Sequence, residues 1–348
     1  MKTVLRMVER GYIPKPFLRR GIRRLLDDRL REQRSIFEPD RDQALERWVE
    51  QMRSSEVAPV PEKANEQHYE VPAAFFESVL GPRLKYSSGY YPDDSSTLGE
   101  AEEAMLALTA QRAMLVNGQD VLELGCGWGS LTLWMAENYP ASRIVAISNS
   151  ASQRHHIMTQ AAQRGLGNIE VVTCDMNEFR AERRFDRVVS VEMFEHMRNW
   201  EELLTRVSQW MAPGGRLFLH VFAHQRYAYP FEVQDDSDWM SEHFFSGGMM
   251  PCPDLVDRLD MPLEVEERWV VSGTHYGRTS EDWLRNIEEH REEVLEIFAK
   301  TYGESEAIRW YHRWRVFFLS CAELFNFDDG KEWFVSHMRL RATPQEAM

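Results

Sequence analysis

The chain contains few cysteines, and the four it has, among 348 residues, are scattered along the sequence. None of them pair at a spacing such as C-x-x-C, so we expect no cysteine-based zinc site and no metal cofactor. Scattered, reduced thiols are typical of the cytoplasm, where we expect this protein to be located. No apolar run reaches the roughly 18 residues of a membrane span, and no apolar segment follows the charged N-terminus as in a secretory signal.

Basic residues are fewer than acidic ones, with 41 Lys and Arg against 56 Asp and Glu and a formal net charge of −15. This charge repels phosphate and argues against nucleic acid as a partner. Residues 1–34 are the exception, since they hold eleven basic and four acidic side chains. Within them Ile22, Leu25, Leu26 and Leu30 follow a helical spacing. This basic helix either packs on the protein body or contacts a membrane surface or a partner, and the sequence leaves both alternatives open.

The chain divides into a helical arm, residues 1–64, and a larger body, residues 65–348. The division rests on the segment Ser54–Ala64, whose two prolines and small residues predict a linker. In the body, short apolar runs alternate with helical segments from Asp120 onward. This alternation predicts an α/β fold with a parallel sheet and crossover helices on both faces.

Seven apolar runs of the body are candidate strands. They lie at residues 120–125, 143–148, 169–174, 186–191, 215–222, 263–271 and 333–341. Pro213-Gly214-Gly215 predicts a sharp turn before the fifth of them. A helical segment at residues 280–325 carries an apolar stripe that is typical of a packed core.

The segment Glu123-Leu-Gly125-Cys-Gly127-Trp-Gly129 follows the first expected strand and opens a helix. Glycines at such a place permit a tight turn and let a ligand approach the backbone closely. A dinucleotide site would read G-x-G-x-x-G with an acidic residue about 20 residues later. Here the glycine run is shorter and the second strand ends in Ile147-Ser148-Asn149. The motif therefore predicts a ligand site of another kind, with an ordinary structural turn as the alternative.

The segment Glu192-Met-Phe-Glu195-His196 lies at the carboxyl end of the fourth expected strand, where ligands bind in open α/β sheets. Two carboxylates and an imidazole crowd into five residues. Desolvation and mutual repulsion can shift the pKa of one of these groups toward neutral pH, as a general base requires. The alternative is a structural role for these side chains as caps or ion-pair partners at a helix start.

Taken together, these motifs resemble the coclaurine N-methyltransferase branch of the cyclopropane-fatty-acid synthase superfamily of methyltransferases. The resemblance covers nearly the whole chain, from Gly11-Tyr-Ile-Pro to the final strand. It rests on LKYSSGY, LELGCGWGSLTLW, SVEMFEHMRNW, HVFAH, FFSGGMMP, GTHYGRTSEDW, AELF and GKEWFVSHM in that order. It implies a Rossmann-like class I methyltransferase fold with an inserted helical and aromatic lid over the substrate. It also implies S-adenosylmethionine as the cofactor and S-adenosylhomocysteine as the product.

The resemblance places one end of the cofactor along the glycine motif. Glu123 and the three glycines Gly125, Gly127 and Gly129 would line the methionine and ribose side. Tyr86 and Ser87, from the KYSS segment, would close over the sulfonium end.

The other end of the cofactor would lie beyond the second and third strands. Asn149 and Gln153 would meet the ribose hydroxyls as neutral partners. Asp175 would accept a hydrogen bond from the adenine amine and Met176 would pack on the flat ring. Each residue has an ordinary alternative: Asp175, for example, could cap the next helix.

Superfamily members that act on acyl chains typically hold a bicarbonate ion with a cysteine, the glutamate of the F-E-H triplet, a histidine and a tyrosine. Glu195, His220 and Tyr276 match three of these positions, whereas the cysteine position is Ser88. The lipid enzymes also tend to have glycine where this chain has Glu192. Both differences favour the amine branch and put a bicarbonate site in doubt. Without such a site, the alternative for His220 is an ordinary position in the pocket or the core.

The resemblance therefore implies N-methylation of a small amine with an aromatic or apolar body. Glu195 with His196 would accept the amine proton, and Glu192 would help to hold the amine in line. Insertions at residues 223–264 and 276–332 would supply pocket walls, with Gly247-Gly248 as a bendable segment. The candidate pocket residues are Ser88, His220, Phe222, His224, Tyr227, Tyr229, Trp239, Phe244, Phe245, Tyr276, Phe325 and Trp333.

Two other functions compete with amine methylation. One is C-methylation or cyclopropanation of unsaturated acyl chains, with the basic helix docked weakly on anionic lipid. The other is a binding protein that keeps the cofactor fold without catalysis, against which the pair Glu192 and Glu195 speaks. The sequence does not identify the methyl acceptor, and it leaves open whether the chain forms a homodimer.

Overall fold

The computed structural model describes residues 2–59, 71–232 and 239–343. Residues 60–64 of the expected linker and the expected boundary at residue 65 lie outside the described residues. The arm consists of the helices α1 (Lys2–Glu9), α2 (Lys15–Phe37) and α3 (Arg41–Arg53). Between residue 71 and the sheet lie the helices α4 (Ala73–Val79) and α5 (Leu98–Arg112). The helix α5 begins with a capping box in which Thr97 and Glu100 bind each other's backbone N–H groups.

The body contains a seven-stranded sheet in the order β3-β2-β1-β4-β5-β9-β8. The strands β1 to β5 are parallel, whereas β9 runs antiparallel to both β5 and β8. Their bounds are β1 Asp120–Leu124, β2 Arg143–Ser148, β3 Ile169–Thr173, β4 Phe185–Val191, β5 Met211–His224, β8 Leu263–Val271 and β9 Trp333–Ala342. The crossover helices are α6 (Ser130–Asn138), α7 (Ala151–Gln163) and α8 (Trp200–Trp210). The expected α/β architecture is confirmed.

Two further parts of the body differ in detail from the sequence-based expectation. Pro213-Gly214-Gly215 does not precede the fifth strand but lies inside β5, as an irregularity between the pairs Phe185–Met211 and Arg187–Arg216. Gly214 accommodates it with a φ of +78°. The expected helical segment 280–325 is three helices, α10 (Gly273–Glu289), α11 (Arg291–Tyr302) and α12 (Glu304–Phe325).

The described residues between β5 and β8 form little regular secondary structure. It holds the two-residue strands β6 (Tyr229–Pro230) and β7 (Met249–Met250), the short helix α9 (Trp239–His243) and a 3₁₀ turn at Val256–Arg258. Two other 3₁₀ turns, Phe194–His196 and Phe327–Gly330, follow β4 and α12.

The basic helix α2 packs on the body through an apolar face and through ion pairs. Ile22, Leu26 and Leu30 contact the main core, whereas Leu25 is exposed. Arg19 Nη1 lies 2.5 Å from Glu323 Oε1 and 2.7 Å from Glu281 Oε1. Glu281 and Glu323 of the body therefore neutralise positive charge on α2. In the described part of the chain, no helix combines the length and apolar character needed to cross a bilayer.

Candidate active site

A cavity lies beyond the carboxyl ends of β1 and β4, where the order of the parallel strands changes direction. Ligands bind at this point in open α/β sheets because the connections diverge there and leave a crevice. The cavity consists of two adjoining pockets that share Gly125, Gly127, Gln153, Met193 and His196. One extends under α10 and α12, and the other extends over the ends of β2 and β3. We call them the reaction pocket and the nucleoside pocket.

The glycines of the motif have different physical roles. A Cβ added at Gly127 would meet no atom within 4 Å, so this residue borders open space shared by both pockets. A Cβ added at Gly129 would come within 2.5 Å of Ile157 Cγ1, and Gly129 lines neither pocket. Gly127 therefore leaves room for a ligand, whereas Gly129 lets α6 approach α7 closely.

The nucleoside pocket contains the four residues expected at the ribose and adenine, Asn149, Gln153, Asp175 and Met176. Gln153 is almost fully buried, and its Oε1 accepts a hydrogen bond from Ser148 Oγ at 2.7 Å. Its Nε2 has no hydrogen-bond partner among the described residues. A buried amide donor without a partner costs free energy unless a ligand satisfies it. The pocket combines this amide donor with the carboxylate of Asp175 and the buried thioether of Met176. This set of groups fits adenosine.

The reaction pocket receives Lys85, Tyr86 and Ser87 from the segment before α5. Lys85 is buried, and burial lowers the pKa of its ammonium group to about 8, while Glu192 and Glu102 act in the opposite direction. Its Nζ donates to Ser87 Oγ. Roles were expected from the sequence for Tyr86 and Ser87 but not for Lys85, although the KYSS segment contains it.

Glu192 lines the reaction pocket and is held there by three hydrogen-bond donors. Its Oε1 accepts from Ser88 N at 3.0 Å and lies 3.1 Å from His220 Nε2, and its Oε2 accepts from Tyr276 Oη at 2.5 Å. Burial raises the pKa of the Glu192 carboxyl, whereas Lys85, Tyr276 and the Ser88 backbone lower it. The backbone of Glu192 has a φ of +48°, a left-handed conformation that is strained for a residue with a Cβ.

The other two residues of the E-x-x-E-H segment lie in different environments. His196 lines both pockets, and burial lowers the pKa of its imidazole to about 4. Glu195 is buried behind the wall, where its Oε1 accepts from Phe222 N at 2.7 Å. Its Oε2 has no hydrogen-bond partner among the described residues. Burial, together with repulsion by Glu192, raises the pKa of Glu195 well above its usual range.

The expected substrate residues divide into those that line the reaction pocket and those that do not. Phe222, Phe245 and Tyr276 line it. Phe325 lies behind Tyr276, with ring centroids 4.2 Å apart. Ser88 and His220 lie behind Glu192 and bind its carboxylate instead of lining the pocket.

The remaining expected substrate residues pack elsewhere. Phe244 is fully buried and stacks on Phe317 at 4.3 Å. His224 stacks on Tyr227 at 4.7 Å, and the indole N–H of Trp333 donates to Tyr229 Oη at 3.1 Å. None of Tyr227, Tyr229, Trp239, Phe244, His224 and Trp333 lines the reaction pocket. These aromatic side chains, five from the insertion at residues 223–264 and Trp333 from β9, form core beneath the pocket wall because they bury more surface against each other than they could at its mouth.

Several residues of the reaction pocket were not identified from the sequence. They are Leu84, Lys85, Leu106, Thr109, Trp128, Trp283 and Phe317. Phe317 belongs to the apolar stripe of α12, which the periodicity assigned to the core. It is buried and also faces the pocket, and the periodicity of one helix does not distinguish these two positions.

Comparison with known proteins agrees with this geometry. The family model described as "Mycolic acid cyclopropane synthetase" matches residues 59–332. An (S)-coclaurine N-methyltransferase of Thalictrum flavum subsp. glaucum is 37% identical over 340 residues, which are 96% of this chain and 94% of the relative. The cyclopropane-fatty-acyl-phospholipid synthase of Escherichia coli K12 is 29% identical over 276 residues, covering 78% of this chain and 67% of the relative.

A solved structure of a coclaurine N-methyltransferase bound to N-methylheliamine and S-adenosylhomocysteine matches with a TM-score of 0.94 and 35% identity, covering 97% of this chain and 99% of that one. The fold and the comparisons define a class I methyltransferase that uses S-adenosylmethionine. Within that class, the chain belongs to the mycolic acid cyclopropane synthetase family, in the branch of the coclaurine N-methyltransferases.

Proposed function

We propose that this enzyme methylates the nitrogen of a small amine with an aromatic or apolar body, such as a tetrahydroisoquinoline. Relatives at 34–37% identity are named for N-methylation of coclaurine and pavine. The similar solved structure holds N-methylheliamine, itself a methylated amine.

The carboxylate of Glu192 carries this proposal. Ser88, His220 and Tyr276 occupy three positions that hold bicarbonate in the lipid enzymes by resemblance, and here all three bind the Glu192 side chain. A second anion in the same place would meet a fixed negative charge at hydrogen-bond distance. The protein therefore supplies, from its own chain, the anion that the lipid enzymes take from solution.

Glu192 is suited to hold a cationic nitrogen. A carboxylate has about four lone-pair sites, and three are used by Ser88, His220 and Tyr276. The remaining site can accept an N–H of the amine, and the negative charge stabilises the positive charge that the nitrogen gains on methylation. S-adenosylmethionine supplies a methyl group on a positively charged sulfur, which is ready for attack by a nitrogen lone pair.

An amine is mostly protonated at neutral pH and must lose a proton before it can attack. His196 is the side chain placed to accept that proton, because it lines the pocket and its imidazole, whose pKa burial lowers and Glu192 raises, is neutral at pH 7. Glu195 does not line the pocket, and its raised pKa favours the protonated form. Of the two residues expected to accept the proton together, Glu195 and His196, we therefore propose His196 alone for this role and Glu195 as support behind the wall.

Aromatic rings form the walls around this polar centre. Phe222, Phe245, Tyr276, Trp283 and Phe317 line the reaction pocket. Aromatic faces attract a cationic nitrogen and bury an apolar ring system. The walls therefore favour an amine on an aromatic body over a small hydrophilic amine.

The cofactor site is proposed from the same geometry. Gly125, Gly127, Glu123, Tyr86 and Ser87 would hold the methionine end, since all five line the reaction pocket. Asn149, Gln153, Asp175 and Met176 would hold the nucleoside. We further propose a cytoplasmic location, which the four free cysteines support.

The test is incubation with methyl-deuterated S-adenosylmethionine and either tetrahydroisoquinoline or phenethylamine, followed by mass spectrometry. We expect a labelled N-methyl product from at least one of them, and loss of that product in Glu192→Gln. Tight cofactor binding without turnover of any amine or unsaturated lipid would instead support a binding protein.

A further inference from the structure

A chain of hydrogen bonds leads from Glu192 through the sheet to the end of α5. Glu192 Oε1 lies 3.1 Å from His220 Nε2, and His220 Nδ1 lies 2.9 Å from His337 Nε2. His337 Nδ1 in turn lies 2.7 Å from Arg112 Nη1. His220 and His337 are fully buried cross-strand partners on β5 and β9, and Arg112 is the last residue of α5.

The arginine fixes the direction of every hydrogen bond in this chain. A guanidinium group only donates, so His337 Nδ1 must accept and the proton of this imidazole must be on Nε2. His337 Nε2–H then donates to His220 Nδ1, and His220 Nε2–H donates to Glu192. Both imidazoles are neutral in this arrangement, in agreement with burial, which lowers the pKa of each well below its usual range.

This direction excludes proton transfer from Glu192 to the surface along the chain. A proton leaving Glu192 would need an unprotonated Nε2 on His220, and each histidine would then carry its proton on Nδ1. His337 Nδ1–H would point at Arg112 Nη1–H, two donors without an acceptor. The chain therefore orients a hydrogen-bond donor toward Glu192 and cannot carry protons away from it.

We propose that Arg112 and His337 are positioning residues of this methyltransferase, which lock His220 as a donor so that the Glu192 carboxylate stays ionised and aimed at the substrate nitrogen. The proposal rests on the amine function proposed above for its kinetic consequence, but not for the tautomers. Arg112 contacts neither pocket, so its effect must pass through the two histidines.

Other charged and titratable groups also face Glu192. Lys85 lies on the segment before α5, Glu195 and His196 follow β4, Tyr276 lies on α10 and Cys321 on α12. Removal of Arg112 leaves all of them in place. A change in the titration of Glu192 in such a variant therefore reports the chain itself.

The first experiment needs no substrate. Two-bond ¹H–¹⁵N correlation spectra of protein labelled in its histidines distinguish the Nδ1–H tautomer, the Nε2–H tautomer and the charged form. We expect neutral Nε2–H tautomers for His220 and His337, whose signals are assigned with His220→Gln and His337→Gln. In Arg112→Met we expect the two histidines to populate the Nδ1–H tautomer as well. An Nδ1–H tautomer or a charged ring at either histidine of the unmodified protein would overturn the proposal, whatever the substrate proves to be.

The second experiment uses tetrahydroisoquinoline methylation as a function of pH. In Arg112→Met the pKa of Glu192 rises, so the acid limb of kcat/KM should move up by about one pH unit, with up to a tenfold loss on that limb. The dissociation constant for S-adenosylmethionine should change less than about twofold, because no cofactor residue contacts Arg112. Arg112→Lys, which keeps a cationic donor, should recover most of the loss.

Arg339→Met is the matched control. Arg112 and Arg339 both stack on Trp269, at 4.9 and 5.3 Å, and Arg339 also donates to the backbone carbonyl of Arg112. Arg339 makes no hydrogen bond to the histidines, so its loss should leave the pH profile unchanged. Equal profiles for Arg112→Met and Arg339→Met would overturn the positioning role. If no variant methylates an amine while the tautomers are as expected, the amine function fails and the chain of hydrogen bonds stands.

Discussion

At the scale of single residues, Glu192 shows how backbone strain and chemistry are linked. A left-handed backbone costs a residue with a Cβ about 1 kcal/mol or more, and here the φ is +48°. The three donors to its carboxylate and the bond from its own N–H to the His220 carbonyl at 2.8 Å maintain that conformation. Glycine takes this conformation without strain, which gives a physical reason why the lipid enzymes have glycine at this position by resemblance.

Glu192→Gln should lower kcat/KM for an amine by about 10²–10⁴-fold, because the amide keeps the shape but loses the charge that holds the nitrogen. Glu195→Gln should cost less than about tenfold, since its carboxyl favours the neutral form and does not line the pocket. Steady-state rates with tetrahydroisoquinoline, with S-adenosylmethionine affinity as the control, separate the two. Equal losses in both variants would return Glu195 to the proton-accepting role.

Glu192→Gly should create a site for a small carboxylate. The substitution removes the side chain but leaves Ser88 N, His220 and Tyr276 as donors, so formate can take the place of the lost carboxylate. We expect Glu192→Gly to be inactive on amines and to recover activity as formate is added. Glu192→Gln is the control, because its amide fills the same space and should not respond. Rescue of both variants, or of neither, would contradict the proposed geometry.

At the scale of elements, the turn from β1 to α6 forms part of the proposed cofactor site. Gly127→Val should raise the dissociation constant for S-adenosylmethionine by about tenfold or more, since the side chain would project into the open space shared by both pockets. Gly165→Val is the matched control, because its φ of +67° and open surroundings give similar strain away from the cavity. Calorimetry on both variants checks this, and unchanged affinity in Gly127→Val would rule out the proposed site.

The helix α2 is coupled to α12 by charge. Removal of residues 1–34 leaves Glu323, whose side chain is 4% exposed, without Arg19 and Arg23. The ion pairs are lost together with the apolar contacts of Ile22, Leu26 and Leu30 with the core, so the free energy of unfolding in urea should fall by about 3 kcal/mol.

Cofactor affinity of the truncated chain gives a further check. All proposed cofactor residues lie in the body, so binding of S-adenosylmethionine should persist. A folded, truncated chain that does not bind the cofactor would show that the arm is part of the site.

The strands were predictable from the sequence for a physical reason. The inner strands of the large sheet are mostly buried, so they read as short apolar runs between turns. The strands β6 and β7 have only two residues each and are too short to leave such a pattern, although Tyr229, Met249 and Met250 are buried. Pro213-Gly214-Gly215 contains the residues of a turn, but pairing with β4 continues on both sides of it.

The candidate site was predictable in part. The end of β4 located Glu192 and His196, and the glycine motif located the cofactor loop. The sequence of this segment does not predict that Glu195 lies behind the pocket wall while His196 lines the pocket. The two residues belong to a 3₁₀ turn, in which neighbouring side chains point in different directions. Arg112 and His337 are remote in sequence from Glu192, and no local pattern records a contact between remote side chains.

At the scale of the whole molecule, buried carboxyl groups link stability to pH. Burial raises the pKa of Glu123 and Glu102 to about 7. The folded state therefore holds protons that the unfolded state has released, and this contribution to the free energy of unfolding is lost as the pH rises from about 4.5 to about 7. The buried histidines act in the opposite sense, because the unfolded chain binds protons at these side chains near pH 6.5 and the folded chain does not. The contribution of Glu123 is therefore measured against a variant that lacks its carboxyl group.

Urea unfolding of the cofactor-free enzyme at pH 5 and 7.5 tests this link. Relative to Glu123→Gln, which cannot ionise, the unmodified protein should lose stability between the two pH values. An equal pH dependence in the two proteins would show that Glu123 is not the group responsible.

The most direct test of the central claim is a competition between amine and lipid. The enzyme would be mixed with methyl-deuterated S-adenosylmethionine, tetrahydroisoquinoline and vesicles of an unsaturated phospholipid, in buffer depleted of carbonate, and the label located by mass spectrometry. We expect label on the amine nitrogen at a rate that added bicarbonate does not change. Label in the acyl chains as an added methylene or methyl, with a rate restored by bicarbonate, would contradict it.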